Sequence, residues 1–185
     1  MLFRRATKIL LTTQMIATGA MGLLSPIYAI YVEKLGGGIL SAAGAWAIFS
    51  IVSGLLIIFL GQLTDRVKEP KYFIVAGFLV GSFGYFGYLF AKSPAHLFVI
   101  QAILGLSLAL MTPAHDSLYT KHLDDSRFAT GWGIWEGLYR ITEAASAFIG
   151  GIIVVYVGFK ALFVLMSGLS LVTAIYIWLL PRKVL

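Results

Sequence analysis

Read for its apolar and polar positions, the chain alternates long hydrophobic runs with short breaks that carry charge, Gly or Pro. Six runs reach the roughly 20 residues that cross a hydrocarbon core as a helix: 8–32, 41–62, 72–91, 97–119, 129–156 and 160–180. They are too long for strands and lack alternation with a period of two. In lipid, a helix of this kind satisfies its own backbone groups. The pattern predicts an all-α membrane protein, with residues 1–185 forming a single six-helix transmembrane domain. The breaks have physical causes. LGGGILS (35–41) is flexible and ends near a helix start at Ser41, TDRVKEPK (64–71) joins charge to Pro70, and AKSPAH (91–96) places Pro94 near a helix N-terminus. TKHLDDSR (120–127) is the longest polar stretch, and YVGFK (156–160) is a tight turn with Gly158 available for a left-handed conformation.

Composition agrees. Of 185 residues, 59% are hydrophobic and 12% charged, about half the charged share of a soluble domain. The basic excess lies in short patches between apolar runs, with no basic face or tail, which argues against nucleic acid. There is no Cys, and His96, His115 and His122 have no metal-ligand spacing. No phosphate loop, nucleophile elbow or cofactor fingerprint is present, so no enzyme and no cofactor is expected. The first apolar run is about twice as long as a signal-peptide core and reads as an uncleaved membrane helix. Lys and Arg set the orientation. With the N-terminus inside, Arg4, Arg5, Lys8, Arg66, Lys68, Lys71, Lys121, Arg127, Arg182 and Lys183 fall on the inner side, against Lys34, Lys92 and Lys160 outside. Both termini are therefore expected to be cytoplasmic, in the cytoplasmic (inner) membrane.

The segment GQLTDRVKEPK, Gly61 to Lys71, resembles the loop signature of the major facilitator superfamily, Gly-x-Leu-Ala-Asp-Arg-x-Gly followed by basic residues. Gly61, Leu63, Asp65 and Arg66 match and Lys71 supplies the late basic charge; Thr64 replaces Ala, and Lys68 stands at the second Gly. TPAHDSLYTKHLDDSRFATGWG (112–133) is similar to that family's passage from helix four to helix five. FIGGIIVVYVGFKALFVL (148–165) is similar to its connection from helix five to six. Ala147 and Phe148 replace the usual Gly-Pro, which tells against the proton-antiport branch, and Gln101 replaces an Arg early in helix four. The resemblance covers all six helices, half of a typical twelve-helix member. It implies one half of the major facilitator architecture, with helices one and four bordering a central path.

The two halves of such transporters are parallel repeats about an axis along the membrane normal. An even number of spans lets two copies insert alike, so a parallel homodimer can supply the missing half. Asp65 is then expected to meet the start of helix five of the other copy, near Ala129 and Thr130, where unpaired N–H groups favour a carboxylate. Arg66 is expected to pair with Asp124 or Asp125 there. The competing reading of Asp65 and Arg66 is a solvated inner loop. Gly77, Gly81, Gly84 and Gly87 in helix three, and Gly133, Gly137, Gly150 and Gly151 in helix five, permit close helix contacts.

WEGLYRITE (135–143) places Glu136, Arg140 and Glu143 at helical spacing inside a membrane span. At ~1.5 Å per residue, Arg140 lies roughly 16 Å beyond Ala129, near the bilayer midplane. Charges at that depth are costly against lipid and face protein or water. One reading is a structural Glu–Arg–Glu cluster; the favoured one is substrate binding and coupling. Desolvation favours the neutral form of an isolated carboxylate, and Arg140 opposes this for its partner. The other glutamate is left to exchange a proton, with Glu143 the first candidate and Glu136 the second. Trp132, Trp135 and Tyr139 share the helix and supply aromatic surface. Gln14, Thr18, Ser25 and Tyr28 fall on one face of helix one; Gln101, Thr112, His115 and Tyr119 line up on helix four. His115 with Asp116 reads as a proton exit or inner gate, or as an interfacial, partly hydrated pair. Pro26 and Pro113 are candidate bends.

The leading expectation is secondary active transport by alternating access, with proton-coupled uptake of a small polar solute such as a sugar. Two alternatives stay open. One is export of drugs or cations, which acidic residues in an aromatic cavity suit. The other is a non-transporting scaffold, or half of a hetero-oligomeric transporter. The lipid bilayer is a partner under every reading.

Overall fold

The computed structural model describes residues 5–124 and 126–181 and contains helices and turns, with no strand among the described residues. The chain forms α1 (Arg5–Gly22), a tight turn (Ser25–Ile27), α2 (Tyr28–Lys34), α3 (Ile39–Thr64), α4 (Lys71–Gly87), a second turn (Tyr88–Phe90), α5 (Pro94–Lys121), α6 (Phe128–Tyr156) and α7 (Phe159–Leu179). With α1 and α2 counted as one span, six segments are long and apolar enough to cross a membrane. Arg4, Arg182 and Lys183, used above for orientation, lie outside the described residues.

Prolines act differently by position. Pro26 lies in the tight turn between α1 and α2, where its fixed φ suits the turn and its missing N–H interrupts the first span. Pro113 lies inside α5, which continues through it to Lys121. Pro94 opens α5, where an N–H would be unpaired in any case. Helix α3 begins at Ile39 with Gly38 before it, two residues earlier than Ser41. Gly158 adopts φ 98° and lets α7 start with only two residues between it and the end of α6.

The helices form an open arc. Helix α5 packs on α3 and α4, α4 on α7, α7 on α1, and α1 on α6. Helices α3 and α6 thus stand at the two ends, and α1 and α5 touch little across the concave side. Buried apolar residues gather in two clusters. One joins Tyr31, Val32, Tyr88, Leu97, Phe163 and Met166. The other, nearer the Lys/Arg-rich end, joins Leu10, Ile74, Phe78, Leu118, Tyr119, Trp135 and Ile177.

Lipid is as apolar as the core, so helix contacts here rest on close packing and hydrogen bonds. A Cβ at Gly105 of α5 would lie 2.8 Å from the Phe49 carbonyl oxygen of α3, and one at Gly77 of α4 would lie 2.8 Å from that of Ser107. A Cβ at Gly150 of α6 would run into the Leu23 carbonyl. Gly81 and Gly84 meet Ser107 and Leu104, and Gly87 has a looser contact with Ile100. In contrast, Gly133, Gly137 and Gly151 face open space. Ser107 Oγ donates to the Gly77 carbonyl at 2.7 Å and Ser170 Oγ to that of Phe78 at 2.8 Å, tying α5 and α7 to α4.

Candidate functional site

The concave side of the arc holds a cavity of about 500 Å³, large enough for a drug-sized solute. The spacing of polar residues on α1 turns Gln14 and Thr18 to this cavity, and that on α5 turns Gln101, Thr112 and His115 to it. From α6 come Trp132, Trp135, Glu136, Tyr139 and Glu143. Every sequence-derived solute-contact candidate therefore borders one space, except Arg140, which lies outside the wall.

Arg140 occupies the exposed side of α6, with 66% of its side chain uncovered by this chain. Its Nε donates to Glu136 Oε1 at 3.0 Å and its Nη1 to Glu143 Oε2 at 3.2 Å, and its guanidinium lies 5.1 Å from the Tyr139 ring centre. The trio is a one-helix ladder at i, i+4 and i, i+7. Its carboxylates border the cavity while its cation stands at the rim.

Aromatic groups bound the cavity towards both ends. Near the Lys/Arg-rich end, Trp132, Trp135 and Tyr119 pack together with centroids 4.4–5.6 Å apart, and the His115 ring meets Trp135 edge-on. Tyr119 Oη donates to the Gly131 carbonyl at 2.7 Å, and Thr7 Oγ1 to that of His122 at 3.1 Å, so α1, α5 and α6 are tied at this end. At the other end Tyr28, Trp46, Phe49, Tyr85 and Tyr88 line the space. Met21, Met111 and Met166 complete it. Trp46, Phe49 and the methionines have no polar spacing to mark them, and their sequence pattern is that of core residues. His115 is 2% exposed, buried within the bundle. Asp116, beside it, is half-buried and lines the cavity.

The loop-signature residues lie away from this space. Gly61 and Leu63 are in the last turns of α3, and Asp65 and Arg66 follow it, both exposed. Lys71 is buried, and its Nζ donates to the Leu180 carbonyl at 2.9 Å, where it caps α7 from the start of α4. Asp124 is exposed in the loop before α6 and accepts from the Ser126 backbone N–H at 3.3 Å. Asp125 lies outside the described residues. Among the described residues, no group of His, Asp and Glu is placed to hold a metal.

Comparison with known proteins gives this arrangement a family. A sequence profile of the Major Facilitator Superfamily matches residues 10–184. A protein of Erwinia billingiae named Multidrug resistance protein MdtG is 26% identical over 178 residues, which cover 94% of this chain and 43% of that relative. Proteins of the same name from Salmonella arizonae and Salmonella paratyphi B are each 25% identical over 173 residues, covering 91% of this chain and 43% of their own. The chain thus spans less than half the length of these relatives. With six spans in an open arc and a profile match that runs through all of them, the chain is a multi-pass integral membrane protein and belongs to the Major Facilitator Superfamily.

Proposed function

We propose that the chain is a half-transporter that exports aromatic organic cations by alternating access, completed by a second copy of itself. The observation that carries this is the charge of the cavity wall: Asp116, Glu136 and Glu143 line it and no described Lys or Arg does, so the wall is net acidic even with Arg140 paired to both glutamates from the rim. Carboxylates attract a cation, and tryptophan and tyrosine faces add cation–π attraction. Methionines adapt to solutes of different shape, as a polyspecific site requires. The relatives' name, Multidrug resistance protein, supports the same direction. The Lys/Arg-rich end is cytoplasmic by the positive-inside rule. Ala147 and Phe148 replace the Gly-Pro of the proton-antiport branch, so the coupling proposed here rests on the membrane carboxylates instead: Glu143 is the proton-exchanging group, with Glu136 its alternate, and Asp65 latches to the second copy near Ala129. Proton-coupled uptake of a sugar is the second reading. It draws on the amides and hydroxyls of Gln14, Thr18, Gln101 and Thr112, which line the same cavity.

Proteoliposomes containing the purified chain test the choice. Export predicts that an imposed pH gradient drives movement of tetraphenylphosphonium or ethidium, and that the Glu136→Gln, Glu143→Gln double variant abolishes it. Gradient-driven accumulation of a radiolabelled sugar with no cation flux would replace export by the second reading.

A further inference from the structure

The end of the bundle opposite the Lys/Arg-rich one carries a second cleft, of about 410 Å³. Three breaks between spans meet there: the end of α2, the turn after α4, and the junction of α6 with α7. Its floor is aromatic. Tyr31, Phe159 and Phe163 are buried and pack with centroids 4.8–6.0 Å apart. Tyr31 Oη donates to the Tyr88 carbonyl at 2.8 Å, which fixes this floor to the turn after α4. Two lysines, Lys34 and Lys160, bound the cleft, and no Asp or Glu does. The Lys34 ammonium lies 4.8 Å from the Phe159 ring centre. Both lysines are exposed, and neither forms an ion pair with a carboxylate of the described residues. The positive-inside pattern leaves Lys34, Lys92 and Lys160 at this end, so most of its basic charge converges on one cleft. Cations gathered in a low-dielectric cleft without a counter-ion attract an anion. Because the spans end here, the cleft stands at the level of the lipid headgroups.

We propose that this cleft holds the phosphodiester of an anionic phospholipid, with Lys34 and Lys160 supplying the opposite charge and the aromatic floor covering the glycerol and the first acyl carbons. A zwitterionic headgroup brings its own cation towards the lysines, so phosphatidylglycerol is preferred to phosphatidylcholine. A soluble organic phosphate offers the same anion but no apolar part for the floor to cover, which selects the lipid. The proposal stands whichever solute the central cavity carries.

The test uses the full chain, purified in detergent with phosphatidylglycerol and phosphatidylcholine in equal amounts, and native mass spectrometry to count the lipid it retains. The wild type is expected to keep phosphatidylglycerol in preference to phosphatidylcholine. Lys34→Gln and Lys160→Gln should each lower that retention about fivefold, the effect of one basic residue at an anionic lipid surface. Lys92→Gln removes the same charge at the same end but outside the cleft, and should leave retention unchanged. Lys34→Arg with Lys160→Arg keeps both charges and should keep the lipid. Equal retention of the two lipids by the wild type, undiminished retention in the Lys34→Gln, Lys160→Gln double variant, or an equal loss in Lys92→Gln overturns the proposal. Glycerol phosphate that displaces the lipid from the wild type at equal concentration overturns the lipid assignment and replaces it with a soluble phosphate. Because the wild-type preference and the Lys92→Gln comparison need no change within the cleft, a misfolded double variant does not shield the proposal.

Discussion

Single side chains in this bundle are constrained most where backbones approach. Gly150 sits against the Leu23 carbonyl, at the interruption of the first span. Gly150→Ala should therefore lower stability by about 1–3 kcal/mol, as overpacking does. Thermal unfolding of the purified protein checks this, and Gly133→Ala, which faces open space, is the control expected to leave it unchanged. Tyr119 Oη holds the Gly131 carbonyl at 2.7 Å between α5 and α6. Tyr119→Phe should cost about 0.6–1.7 kcal/mol, the range measured for hydrogen bonds between membrane helices. Lys71 was legible in the sequence as a basic residue of the loop signature. Its burial against Leu180 was not, because the end of α7 lies more than a hundred residues away in sequence.

Among the elements, α6 has two faces with different duties. Gly131, Trp135, Ser146 and Gly150 are buried against the rest of the chain. Gly133, Gly137, Arg140 and Ala144 are exposed on the other side, at one end of the arc. The exposed small residues suit a second helix bundle seated there. Gly133→Leu with Gly137→Leu should leave unfolding temperature unchanged and reduce the dimer fraction several-fold, read by mass photometry in nanodiscs. The first span shows a limit of pattern reading. Its hydropathy is continuous across 8–32, but Pro26 divides it in the fold. Pro113 gave the same signal and yields an uninterrupted helix, since packing of α5 against α3 and α4 holds the chain on both sides.

At the scale of the whole molecule, the arc leaves a charged trio and two sparsely covered helices without cover from this chain. Charges near the bilayer midplane are sustained only against protein or water. This is the physical motive for the second copy in the proposed assembly. The chain has no native Cys, so engineered thiols report without background. Asp65→Cys combined with Ala129→Cys should form an intermolecular disulfide under mild oxidation, seen as a doubled mass on non-reducing gels. Uniform monomers in nanodiscs at working concentrations would remove the homodimer and direct attention to a different second half.

Some features needed only the sequence. Six apolar runs of spanning length force six helices, because lipid offers no partner for an unpaired backbone. Helical periodicity places Gln14 with Thr18, Gln101 with Thr112, and Glu136 with Glu143 on shared faces, since 3.6 residues per turn is a local property. The tertiary structure alone decided that these faces meet around one cavity and that Arg140 stays at its rim. It also decided that His115 is buried with one nitrogen engaged and one free. Which face of a helix meets another depends on how α1, α5 and α6 pack over distances of a hundred residues. In a membrane both lipid and core are apolar, so hydropathy along the chain cannot tell a residue that faces a neighbour from one that faces the bilayer.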